Sequence, residues 1–101
     1  MLLALVALTL LHGTVRIGPT TPVCREGTPC SKPAAHVVLT FARGSVRVRA
    51  TTTAAGAYRV RLAPGTWTVR ASVGMRLTPV AIVVPRAARA ARNFAIDTGI
   101  R

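Results

Sequence analysis

Few residues in this chain have side chains suited to chemistry at neutral pH, and their types and spacing limit what that chemistry would be. A zinc hydrolase needs three protein ligands plus a base. The chain offers His12, His36, Glu26 and Asp97, with no two at ligand spacing. Both histidines fit partly exposed strand positions better than ligand positions. A nucleophilic arrangement can be written from Ser45 or Ser72 with His36 and Asp97. Neither serine lies in a strand-turn-helix elbow or beside oxyanion-hole glycines. No Gly-rich phosphate loop is present either. The expectation is a protein that is not an enzyme, with no catalytic residue, cofactor or metal site.

Cys24 and Cys30 lie in a stretch rich in Pro, Gly and Thr. Five intervening residues let a turn bring the two Cα atoms to disulfide distance, so a structural disulfide is the first reading. A redox pair or metal ligands are the alternatives. A redox motif would be CxxC at a helix start, and zinc would need two further ligands.

The arginines are the remaining candidates. Arg47, Arg49, Arg59, Arg61 and Arg70 each occupy the polar phase of an alternating run. Successive strand side chains point to opposite faces, so these five would form one guanidinium-rich face if their strands shared a sheet. Such a face would repel itself and attract anions, giving a platform for teichoic acid, phospholipid or nucleic acid. The same residues also suit a solvated face that discourages edge-to-edge aggregation. Nucleic acid is the weaker partner. Sheet-based single-strand binders expose aromatics for base stacking, whereas Phe41, Tyr58, Trp67 and Phe94 all fall in the apolar phase.

The elements that must position these residues are short strands. Gly56 to Val73 contains two alternating runs, Tyr58-Arg-Val-Arg-Leu62 and Trp67 to Val73, joined at Pro64-Gly65. This pattern predicts a half-buried antiparallel hairpin. Further strands are expected over residues 10–17, 35–41, 46–52, 80–84 and 93–97, the 80–84 strand mostly buried. A long irregular loop with four prolines spans residues 18–33. Residues 74–79 read as a connection. Residues 85–92 (PRAARAAR) have helical propensity but are too short for an isolated helix, so a single turn or an exposed loop is expected. Seven short strands with regularly spaced turns point to an antiparallel β-sandwich. Its expected core is Val15, Val37, Leu39, Val48, Tyr58, Val60, Leu62, Trp67, Val69, Ile82, Phe94 and Ile96.

At 101 residues the chain suits one domain. Thirteen arginines and one lysine against Glu26 and Asp97 give a net charge of +12, which favours anionic partners. The Ala- and Arg-rich composition also fits a GC-rich genome that uses arginine as its default soluble residue. The apolar run from Met1 to Leu11, interrupted only by Thr9, is too short to span a membrane. It matches the hydrophobic region of a signal peptide in length, but a basic start and a clear cleavage site are missing. Residues 1–9 are therefore read as a signal-peptide remnant or a hydrophobic lead-in, and residues 10–101 as the domain.

Gly56-x-Tyr58 followed by Leu62-Ala-Pro-Gly65-Thr-Trp67-Thr-Val69 resembles the G-x-Y/F … L-x-P-G-x-Y-x-V pattern of carboxypeptidase regulatory-like domains. Gly13-Thr-Val15, the segment from Gly18 through Cys24 to Cys30, and the ending Asp97-Thr-Gly-Ile-Arg101 are similar to small secreted actinobacterial members of that group. The departures are Trp67 where Tyr is usual and Ala55 where Asp often precedes the glycine. The resemblance implies a transthyretin-like, Greek-key sandwich without catalysis of its own. It also implies secretion or attachment to a bacterial cell envelope. The expected function is a structural or binding role, with an anionic envelope polymer or a protein as partner.

Overall fold

The computed structural model describes residues 7–20 and 30–99 of the chain. They form ten strands: β1 (Thr9–Gly18), β2 (Lys32–Pro33), β3 (Val38–Arg43), β4 (Val46–Thr51), β5 (Ala57–Leu62), β6 (Gly65–Ala71), β7 (Arg76–Thr78), β8 (Ala81–Val84), β9 (Arg89–Ala91) and β10 (Phe94–Asp97). No helix occurs among the described residues. The molecule is all-β with two sheets, as the alternating runs require.

The first sheet is organised around β1. Its first half pairs antiparallel with β5, from Thr9 opposite Leu62 to Thr14 opposite Ala57, and parallel with β9, from Leu10 opposite Arg89 to His12 opposite Ala91. Its second half pairs parallel with β10 and antiparallel with β2, and β7 joins the far side of β10. The second sheet has the order β4-β3-β6-β8 and is antiparallel throughout.

Several expectations change. The first sheet is mixed, because β1 runs parallel to β9 and β10. The run PRAARAAR is part strand: β9 occupies its second half. Three residues of the expected connection at 74–79 form β7, which pairs with β10. Residues 80–84 are only half-buried, since β8 is an edge strand with Ile82 and Val84 inside and Val83 61% exposed.

The largest change concerns Pro64-Gly65. Residues 57–62 and 65–71 are both strands, but β5 belongs to the first sheet and β6 to the second. The corner carries the chain across the core rather than back along one sheet. Alternation reports that a strand has one buried face, and two strands facing the same core from opposite sides show the same pattern. Side chains brace the corner. Trp67 Nε1 donates to the Ala63 carbonyl at 2.9 Å, and the Arg43 guanidinium donates to the Pro64 carbonyl at 2.7 Å.

The core lies between the sheets. Leu11, Val15, Tyr58, Val60, Leu62, Phe94 and Ile96 face Leu39, Phe41, Trp67, Val69, Ile82 and Val84, all buried. Of the expected core, only Val48 is partly exposed, and it packs against the cluster. Phe41, Tyr58 and Phe94 meet with ring centroids 5.6–6.2 Å apart in tilted and edge-on arrangements, the geometry favoured by aromatic quadrupoles.

Where β9 passes into β10, the strand departs from ladder pairing, and hydrogen bonds to β1 hold the kink in place. Arg92 N–H donates to the His12 carbonyl at 2.9 Å, and Asn93 Oδ1 accepts the Thr14 N–H at 3.0 Å. A Cβ on residue 13 would collide with the Arg92 carbonyl, so the close approach of this kink to β1 requires Gly13.

Candidate anion-binding surfaces

The two sheets divide the five arginines singled out from the sequence. Arg59 and Arg61 project from β5 in the first sheet, because Tyr58, Val60 and Leu62 take the inward phase. Arg47, Arg49 and Arg70 belong to β4 and β6 in the second sheet. The expected single face is thus two faces on opposite sides of the core, for the same reason that the Pro64-Gly65 corner is not a hairpin.

On the second sheet, Arg49 and Arg70 flank Thr40 in one row across three strands. Arg47 occupies the next row beside Ala42, but its guanidinium turns back to the β3–β4 turn. It donates to the Gly44 carbonyl at 2.8 Å and the Val46 carbonyl at 3.2 Å. That side chain finishes a turn and contributes less to the open face.

On the first sheet, register assembles a cluster from three separate parts of the chain. Arg61 lies opposite Leu10, and Leu10 lies opposite Arg89 on its other side. Arg59 lies opposite His12 in the next outward row. Strands are about 4.8 Å apart, so the Cα atoms of Arg61 and Arg89 are roughly 10 Å apart with Leu10 between them. A groove of about 690 Å³ runs here, lined by Leu10, His12, Thr14, Thr53, Arg59 and Arg89 among others.

Arg89 was not among the residues singled out from the sequence. In Arg89-Ala90-Ala91 a strand's alternation is nearly invisible, because alanine is at home on either face. The three-residue spacing of Arg86, Arg89 and Arg92 reads instead as helical.

The arginines differ in how the protein uses them. Arg16, Arg43, Arg47 and Arg92 donate to backbone carbonyls. The guanidinium groups of Arg49, Arg59, Arg61, Arg70 and Arg89 make no hydrogen bond or ion pair with another described residue. Asp97 is the sole acidic residue among those described, and it lies on β10 in register with Gly18 and Arg76. Like charges placed this way repel, and nothing in the described protein neutralises them.

The residues weighed for catalysis are distributed over separate elements. Ser45 lies in the β3–β4 turn, at the opposite end of the six-residue β3 from His36. Ser72 Oγ accepts the Val38 N–H at 3.1 Å. His12 sits on the outer face of β1. Among the described residues no group of three His, Cys, Asp or Glu side chains converges. The acidity of Tyr58 is clearly perturbed. Burial pushes its phenol well above the usual tyrosine range, with the Arg92 charge opposing weakly.

Three assignments fall wholly or partly on residues outside those described: Glu26, the Cys24 half of the Cys24–Cys30 pair, and residues 1–6 of the segment 1–9 read as a signal-peptide remnant or hydrophobic lead-in. The described ends of that loop meet, since Thr20 N–H donates to the Cys30 carbonyl at 2.8 Å. The described residues contain no helix long and apolar enough to cross a membrane. Compared with known proteins, the chain matches no family model, no curated protein and no solved structure.

Proposed function

We propose that the chain is a noncatalytic β-sandwich module, secreted or held in a bacterial cell envelope, whose role is structural or binding. In this reading it is a carboxypeptidase regulatory-like domain. Strands β1, β3, β4, β5, β6, β8 and β10 are then the seven strands of a Greek-key sandwich, with β2, β7 and β9 as additions. The observation that carries the proposal is the distribution of side chains. Tyr58, Leu62, Trp67 and Val69, the apolar positions of the resembled pattern, are spent in the core. The residues suited to acid–base or nucleophilic work stand on separate elements. Assays against ester, peptide and phosphoester substrates test it and should give no turnover above buffer. Turnover that disappears on His36→Ala or Asp97→Asn would overturn it.

A second reading makes the binding role specific: the module holds an anionic polymer through its arginines. The guanidinium groups on both outer faces that have no partner among the described residues favour it. Nucleic acid is the weaker version, because all four aromatics are buried and none is left for base stacking. Binding should then weaken steeply between low and physiological salt. Salt-independent binding would count against it.

A further inference from the structure

We infer that the outer face of the first sheet carries a discrete phosphodiester site, made by Arg59, Arg61 and Arg89 around Leu10 and His12. Its ligand is a polyol-phosphate chain without bases. This rests on the binding reading just given and narrows it to one face and one chemistry.

The site is a product of topology. Only the parallel pairing of β1 with β9 brings Arg89 into the row of Arg61, with residues 10, 61 and 89 side by side. Three guanidinium groups thereby share a small area with no acidic side chain among the described residues in their rows. An isolated protein gains nothing from that repulsion, whereas a bound anion removes it. The planar forks of arginine match phosphate oxygens, and their spacing across the sheet suits successive phosphates of one chain better than a single ion.

The groove supplies further donors. Thr53 Oγ1 accepts the Ala57 N–H at 3.2 Å, which leaves its hydroxyl proton free to donate outward. His12 lines the same groove, as does Thr14, whose hydroxyl donates to Asn93 Oδ1 at 3.4 Å. A wall of guanidinium, hydroxyl and imidazole groups selects an oxyanion.

Two alternatives fit less well. Nucleic acid offers bases, and the aromatic residue lining this groove, Tyr58, is buried with its ring packed on Phe41 and Phe94 rather than open for stacking. A lipid bilayer asks for exposed apolar side chains beside the cations. The most exposed large ones, Met75, Val83 and Val80, belong to the β7 region and β8, away from this groove. A polyol-phosphate chain needs only the donors present, with Leu10 as a small apolar floor.

The test is fluorescence anisotropy of a labelled poly(glycerol phosphate) oligomer with the full chain. Arg59→Gln/Arg89→Gln is compared with Arg49→Gln/Arg70→Gln on the opposite face, both checked for intact fold by circular dichroism. The expected result is a loss of about tenfold or more for the first variant and under about threefold for the second. The salt slope should fall by about one for each contacting arginine removed. In the unsubstituted protein, titration with the oligomer should shift the His12 ring resonances and leave those of His36 in place. Equal losses in both variants would overturn the site while leaving the binding reading standing. No binding by the unsubstituted protein would overturn both. Tighter binding to single-stranded DNA of equal phosphate number, or to phosphatidylglycerol vesicles, would overturn the ligand assignment.

Discussion

The phenol of Tyr58 donates a 2.6 Å hydrogen bond to the backbone carbonyl of Arg92. Tyr58 stands on β5 and Arg92 just past β9, the two strands that flank the first half of β1. The Arg92 guanidinium continues the connection to the Val83 carbonyl on the edge of the second sheet, at 3.0 Å. A buried ring, a strand kink and a sheet edge are thereby tied through one residue.

Tyr58→Phe keeps the ring contacts with Phe41 and Phe94 but leaves the Arg92 carbonyl without its donor. Loss of a hydrogen bond to this partly buried acceptor costs about 1–3 kcal/mol. The variant should therefore melt about 4–24 °C lower in a thermal scan, at roughly 4–8 °C per kcal/mol for a domain of this size. An unchanged melting temperature would show that the bond contributes nothing.

Tyr58 also fixes an alkaline limit to stability. Its folded pKa is raised, while in the unfolded chain the phenol ionises near its ordinary value of about 10. Above that pH the unfolded state releases a proton that the folded state keeps, so stability declines as pH rises. The stabilisation is fully present below about pH 10 and falls by up to roughly 1.4 kcal/mol per pH unit above it. Because Tyr58 is the single tyrosine, phenolate absorbance reports it directly. The signal should emerge only with unfolding. A normal titration near pH 10 in the folded protein would contradict this.

Thr52 should be more sensitive than its size suggests. Its buried hydroxyl donates to the Ala34 carbonyl and accepts the Val37 N–H at 2.8 Å. Its backbone accepts from His36 at 3.1 Å and donates to Val37 at 2.8 Å. This residue holds the turn in which His36 takes a φ of 55°. Thr52→Val preserves shape and strands two buried polar groups, at a cost of about 2–4 kcal/mol. Thr52→Ser, which keeps the hydroxyl, should lose less than half as much. Denaturant unfolding of the pair distinguishes hydrogen bonding from packing.

For the cysteines, peptide mapping of non-reduced protein should recover Cys24 and Cys30 in one linked peptide. The loop they close is short, so reduction should cost about 2–3 kcal/mol at most and leave the sandwich folded. Two free thiols in secreted material would sink the assignment.

Much of the fold was legible because period-two alternation is dictated by burial. Tyr58, Val60, Leu62, Trp67 and Val69 are inside as their phase demanded. What alternation cannot carry is partner choice. It did not say that β5 and β6 lie in different sheets, and so it placed Arg59 and Arg61 beside Arg47, Arg49 and Arg70. Strand β9 was hidden by alanines that suit either face, and Arg89 with it. The short β7 lacked length to show a period. The candidate groove depends on both of these unseen facts, sheet membership and the parallel pairing. That is why its residues were only half identified in advance.

The central position of β1 has a consequence for how the chain reaches its native state. Leu10 finds Arg89, and Val15 finds Phe94, across about eighty residues of sequence. Closing so large a loop costs entropy before any contact returns it, and topologies dominated by such pairings fold slowly. On a ribosome β1 must wait, with Leu11 and Val15 uncovered, until β9 and β10 have emerged. The seam that completes the core is therefore also the step that dictates when the protein can be finished.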